Sequence, residues 1–172
     1  SLGIDVSSET PAFPPRFLSV TVLSPGQQAG KTYGANKGTY NDDILVAWLG
    51  IATQIDGLGH LGADNVYYNN NKSTDFVRPT GLVKLGIEKI PPIVTRGVVL
   101  DIAGYKGVSM MTEGEVITVA DIEGAARKQN VTIEKGDVVL LHTGWLSLLG
   151  KDDQRFVSKE PGIGIAAAEY LG

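Results

Sequence analysis

The chain has 172 residues, 42% of them hydrophobic, and no cysteine; that suits one domain with a substantial core and excludes both a disulfide framework and thiolate metal ligands. A net charge of −4, with no long run of Lys and Arg, excludes the basic stripe that nucleic-acid phosphates need. No apolar run approaches the roughly eighteen residues of a membrane span, and no charged-then-apolar leader is visible. The expected location is therefore the cytoplasm, although a start at Ser1 with no Met suggests a trimmed N-terminus.

In chain order, Phe17 to Leu23 alternates apolar and polar residues as a half-buried strand does, and Ile44 to Leu49 is a second, almost wholly apolar strand. The tract Asn69-Asn70-Asn71-Lys72 reads as an exposed polar loop tip. Val98 to Ile102 and Val138 to Leu141 are short runs rich in β-branched residues, expected as strands buried on both faces. Between them lies the clearest helix, capped by Thr118 with Asp121 completing a capping box, and with Val119, Ile122, Ala126 and Gln129 at three-to-four-residue spacing. Lys135-Gly136 makes the next turn, and Gly162 to Leu171 reads as a second helix. Gly and Pro are spread evenly, with no linker and no internal repeat, so the expectation is a single strand-rich α/β domain over residues 1–172. Gly162-Ile163-Gly164 lacks the spacing of a dinucleotide or phosphate loop.

The richest chemistry sits in Thr53-Gln54-Ile55-Asp56-Gly57-Leu58-Gly59-His60, directly after the second strand. In extended backbone, side chains two apart share a face, so Gln54 and Asp56 converge while Ile55 is expected in the core behind them. His60 must fold back, and Gly57 and Gly59 permit that because glycine reaches positive φ at little steric cost. An amide oxygen, a carboxylate and an imidazole together suit a metal site. An Asp capping a loop and a His bonded to a carbonyl would give the same pattern, and the residues alone leave both readings open.

Elsewhere, His142 ends a strand beside Thr143, Gly144 and Trp145, where it would either carry protons in a cleft or simply be hydrogen-bonded. Tyr67, Tyr68 and Trp145 would serve as an apolar wall for a substrate or as ordinary core aromatics. Asp42-Asp43 reads as a solvated turn, and Arg96 as a structural partner of a carboxylate.

The segment from Asp42 to Gly62 resembles the signature of the cyclase-like metal hydrolases, the group that includes kynurenine formamidase and isatin hydrolase. Their motif reads His-x-Gly-Thr-His-x-Asp-x-x-x-His, and a subgroup carries Thr-Gln-x-Asp-Gly-Leu-Gly-His, which Thr53 to His60 matches residue for residue. Thr10-Pro11-Ala12-Phe13-Pro14, Pro91 to Gly97, Gly136 to Leu140 and His142-Thr143-Gly144-Trp145 agree in order and spacing, so the resemblance covers essentially the whole chain. Two departures stand out. The motif's first histidine falls on Gly50 and its second on Gln54, leaving Asp56 and His60 unchanged. Family members also continue beyond this chain's last residue, and their later region supplies a further histidine and glutamate.

The resemblance implies a strand-rich swivelling β/β/α fold and a divalent cation held by Gln54, Asp56 and His60. An oxygen-rich set favours Mn²⁺ or Mg²⁺, with Zn²⁺ the family's other choice. It further implies hydrolysis of a small amide, an aryl formamide such as N-formylkynurenine or an isatin-like cyclic amide, as in tryptophan catabolism. His60 would act as general base, with Tyr67, His142 and Trp145 near the substrate. A homodimer or homotetramer is implied as well. The alternative is a non-catalytic binding or structural protein of the same fold that has lost metal ligands at Gly50 and Gln54.

Overall fold

The computed structural model of the chain describes residues 2–24 and 26–172. It resolves into two compact units, one built from Ser1–Thr53 with Gly97–Gly172, the other from the uninterrupted stretch Gln54–Arg96. The whole is mixed α/β with many short strands, as the sequence pattern leads one to expect. Among the described residues no helix is long and apolar enough to cross a membrane.

In the first unit, β1 (Leu18–Leu23) pairs antiparallel with β2 (Asp42–Ala47), Leu18 opposite Ala47 and Leu23 opposite Asp42. The alternation in β1 predicts one buried face, yet Val20 and Val22 are more than half exposed and Leu45 and Val46 of β2 are too. A sheet of two strands has no second layer among the described residues to cover either face. Asp42 and Asp43 open β2 and do not form a turn.

The first strand of the second unit is β3 (Val66–Tyr67), which pairs antiparallel with β4 (Asn71–Lys72). Helix α1 (Ser73–Phe76) follows, and then β5 (Val77–Arg78) and β6 (Gly81–Leu82), which pair with each other. Phe76 is fully buried, with the Tyr67 ring edge-on to it at 5.1 Å. Asn69 and Asn70 take positive φ in the turn between β3 and β4, a conformation that asparagine tolerates better than most residues.

Returning to the first unit, β7 (Gly97–Asp101) runs straight into α2 (Ile102–Lys106), followed by β8 (Val116–Ile117), α3 (Val119–Gln129) and β9 (Val138–His142). β9 lies parallel to β7, with Gly97 opposite Val138 and Asp101 opposite His142. Ile102, expected in the strand, instead starts the helix because the Asp101 side chain accepts the Gly104 N–H and caps it. The strands are buried on one face and not on both: Val98 and Leu100 are in the core while Val99 is half exposed. They join Ile102, Ala103, Met111, Ile117, Ile122, Ala125 and Ala167 in one apolar cluster.

After β9 come α4 (Asp153–Phe156), β10 (Gly162–Ile163) and α5 (Ile165–Leu171). The expected helix from Gly162 therefore begins three residues late. Its first two residues are claimed by β8, beside which β10 runs parallel.

Helix α3 follows its sequence signals closely. The Thr118 side chain accepts the Asp121 N–H, and the Asp121 carboxylate accepts both the Thr118 N–H and its hydroxyl. Lys106 Nζ reaches the same carboxylate at 3.0 Å and Glu115 at 3.2 Å. The Asp121 hydrogen bond holds the Lys106 ammonium above its usual range despite partial burial, with Glu115 adding to the effect. Burial pushes the Asp121 carboxyl up, but the Thr118 and Lys106 hydrogen bonds outweigh it and the net shift is down. Glu115 is also lowered, by the Thr112 N–H and by Lys106.

Carboxyls lowered in the folded state stabilise it above their unfolded range of about 4, and that contribution is lost as pH falls through the folded values. A raised lysine stabilises below its unfolded value of about 10.4 and loses its contribution as pH rises through the folded one. Lys106→Met should thus lie below the wild type in urea stability between about pH 5 and pH 10 and converge with it in strong acid. Thr118→Ala should lower stability by about 1 kcal/mol at neutral pH, read as a shift of the urea midpoint at unchanged slope.

Candidate functional site

The loop that leads out of β2 is anchored by Ile51, which is buried, and by the Thr53 hydroxyl, which accepts the Ile4 N–H at 2.9 Å. Ala52 takes φ +61°, in the left-handed region. Beyond it Gln54 and Asp56 fall on one side, as two-residue alternation requires, and Gln54 Nε2 donates to Asp56 Oδ1 at 3.4 Å. A turn closed by the His60 N–H on the Gly57 carbonyl folds the chain back, while the Gly59 N–H donates to the Leu85 carbonyl. His60 Nε2 then stands 3.9 Å from Asp56 Oδ1, with both side chains about half exposed.

The three residues singled out in the sequence thus meet on one carboxylate oxygen. Ile55 does not enter the core. It is 61% exposed and lines an apolar hollow with Ile87, Ile90, Pro91, Pro92 and Ile93, while it is Gly59 that comes up against Phe76, Leu82 and Leu85. Two residues past His60, a Cβ on Gly62 would stand 2.6 Å from the Val66 carbonyl oxygen and 2.9 Å from Tyr67 Cγ, so only glycine allows β3 to close on this loop.

The other candidates divide between core and surface. Tyr67 is half-buried against Phe76, and Tyr68 is exposed. Trp145 is 5% exposed, donates its indole N–H to the Phe156 carbonyl at 3.0 Å and carries the Arg155 guanidinium over its ring. It therefore packs as a core side chain and not as an open wall, since its polar handle and one ring face are already used. Arg155 in turn pairs with Glu113.

His142 is the most informative of the remainder. Its Nδ1 lies 2.8 Å from Asp101 Oδ1, across the last register pair of β7 and β9. The His142 hydrogen bond, reinforced by the Gly104 N–H, holds the Asp101 carboxyl below its ordinary value. Asp101 was not visible as a site residue in the sequence, because its partner is 41 positions away and only the strand register joins them.

As a partial ligand set, Gln54, Asp56 and His60 suit a hard or borderline divalent cation. Two donors about 2.1 Å from one ion are separated by roughly 3 to 4 Å, and 3.4 and 3.9 Å around Asp56 match that spacing. The Gln54 amide would have to turn its oxygen inward, a rotation that exchanges two atoms of similar size. Among the described residues no cluster of three or more His, Cys, Asp or Glu side chains is positioned to hold a metal. The loop accordingly provides two strong donors and one amide.

A family model described as "Putative cyclase" matches residues 1–172. A solved structure described as a novel cyclase is 30% identical and superposes with a TM-score of 0.82, over 99% of this chain and 59% of that one. The chain thus spans about three-fifths of the length of that structure's chain. No protein of curated function matches significantly.

Gly62→Ala should destabilise the second unit by roughly 1–3 kcal/mol, because the Val66 backbone oxygen cannot move aside as a flexible side chain would. Limited proteolysis should show faster cleavage within Gln54–Arg96, with the first unit as an internal control.

Proposed function

The chain belongs to the cyclase family, and on that premise we propose that it serves a metal-dependent hydrolysis of a small amide, an aryl formamide or an isatin-like cyclic amide. The observation that carries the reading is the meeting of Gln54, Asp56 and His60 on Asp56 Oδ1 inside the motif that resembles the family's metal-binding segment. A bound Mn²⁺ or Zn²⁺, with Mg²⁺ the harder alternative, would polarise the substrate carbonyl and make water more acidic. Asp56 is the principal anchor for such a cation, and the Gln54 amide oxygen its neutral companion.

His60 is either a third ligand or the base, since a neutral imidazole offers a single lone pair. As the base it takes a proton from the attacking water and returns it to the leaving nitrogen, which must be protonated before the C–N bond breaks. Its half-exposed position beside a carboxylate suits that exchange, because the anion stabilises the transient imidazolium. Assembly as a homodimer or homotetramer belongs to the same reading and would be seen as a multiple of 18.2 kDa in native mass measurements.

A second reading is favoured by Gly50, which has no donor atom where the family motif has histidine, and by the scarcity of strong ligands around Asp56. On it, the chain is a binding or structural member of the family with no turnover.

Metal analysis after incubation with Mn²⁺ or Zn²⁺, coupled to assays with N-formylkynurenine and isatin, separates the two. The hydrolase reading expects bound ion and turnover that EDTA removes, with Asp56→Ala losing both; an inert, ion-free chain would overturn it. His60→Gln should keep the ion and lose on the order of a hundredfold or more in rate if His60 is the base. It should lose the ion if His60 is a ligand.

A further inference from the structure

We infer that Asp101 and His142 form a second proton-transfer centre, contained entirely in the first unit and independent of any metal. The inference rests on the register of two parallel strands and not on the motif loop. β7 and β9 end together, so their last residues lie side by side at the carboxyl edge of the pair, the edge at which α/β sheets present ligand sites.

What distinguishes the pair from a chance surface contact is that the carboxylate is fixed before the histidine is considered. Its backbone N–H donates to Gln129 Oε1 at 2.8 Å, while Gln129 Nε2 donates to the Val99 carbonyl, so the end of α3 clamps the edge of β7. Its side chain accepts the Gly104 N–H at 2.9 Å. Lys128 Nζ, on the same turn of α3, donates to the Gly104 carbonyl and leaves a cation near the carboxylate. Oδ1 then meets His142 Nδ1 at 2.8 Å.

That contact assigns the ring proton to Nδ1, because a carboxylate can only accept. The lone pair is left on Nε2, which makes no hydrogen bond to any described residue, on a side chain that is 58% exposed. A histidine oriented by a carboxylate with its far nitrogen open is the base-and-orienter arrangement of acyl-transfer sites, here with water as the only nucleophile required. The chemical class it would take is a small ester or amide with an accessible carbonyl.

In the step, an O–H bond of water breaks as its proton passes to Nε2 and the oxygen adds to the carbonyl carbon, whose π electrons move onto oxygen. When the carbonyl re-forms, the bond to the leaving oxygen or nitrogen breaks, and the imidazolium returns the proton to that atom. No oxidant or reductant is consumed. His142 is the proton-carrying residue, and Asp101 and Gln129 are positioning residues.

The test uses the full chain, saturating EDTA and ethyl dichloroacetate, an ester towards which imidazole acts as a base and not as a nucleophile. The expected result is protein-dependent hydrolysis that EDTA leaves intact, slows by about twofold or more in D₂O, and falls on the order of tenfold in His142→Gln. Asp101→Asn, which preserves the cap on α2, should reduce the rate several-fold with an unchanged circular dichroism spectrum. Nitrogen-15 shifts of His142 in the unaltered chain at pH 8 should place its proton on Nδ1, a readout that needs no variant to fold.

A proton on Nε2, a rate that His142→Gln leaves unchanged, or a rate abolished by EDTA would each overturn the inference. Metal-dependent amide turnover at the motif loop is separable, because EDTA removes it and leaves this activity in place.

Discussion

The parallel pairing of β7 with β9 is the constraint on which the first unit depends. Parallel strands cannot be joined by a tight turn, so the chain must cross over, and α2, β8 and α3 are that crossover. Each then finds its buried face imposed on it. Val98 and Leu100 of β7, Ile102 and Ala103 of α2, and Ile122 and Ala125 of α3 fill one cluster because the crossover folds back over the sheet. The same register sets Asp101 beside His142. Gln129 completes the arrangement by bonding to the backbone of β7 at Val99 and Asp101, serving as a short substitute for a neighbouring strand.

The two Asp–His contacts are built differently, and the difference bears on what each can do. Asp56 and His60 are four residues apart on a loop, 3.9 Å from each other, and their meeting depends on the Gly57–His60 turn. Such a half-exposed pair is worth little to stability, about 0–1 kcal/mol, which leaves it free to open around a ligand. Asp101 and His142 are joined across 41 positions by strand register and sit at 2.8 Å. Their geometry comes from the fold itself. A loop pair can therefore adapt to an ion, whereas a register pair arrives already aligned.

How much of this was legible in the sequence follows from the range of the forces involved. Thr118 and Asp121 announced α3, because a capping box is a local device whose hydrogen bonds span three residues. The convergence of Gln54, Asp56 and His60 was legible for the same reason, although Gly57 and Gly59 serve it by close approach to Leu85, Ile87 and Phe76 and not by the positive φ expected of them. The longer strands show in the sequence but their burial does not: alternation in β1 and apolar continuity in β7 describe side chains, not the number of layers laid over them. The helix expected from Gly162 lost its first residues to a partner, β8, that no local pattern could reveal. The two-residue strands β3 to β6 have no periodicity to read at all, and β3 and β4 are set by turns at Asp64, Asn65, Asn69 and Asn70. Asp101 does not show as a site residue in the sequence because its chemistry exists only in the register.

One unit is an unbroken stretch, Gln54–Arg96, whereas the other needs both the residues before it and those after it. During synthesis the unbroken unit emerges complete while its host still lacks the β7–β9 pair. Its contacts are short-range along the chain and therefore quick to form, while the host must wait for the ribosome to deliver residue 142 before its sheet can zip. The motif loop opens the earlier unit, so its side chains can gather on Asp56 before the His142 imidazole has been made.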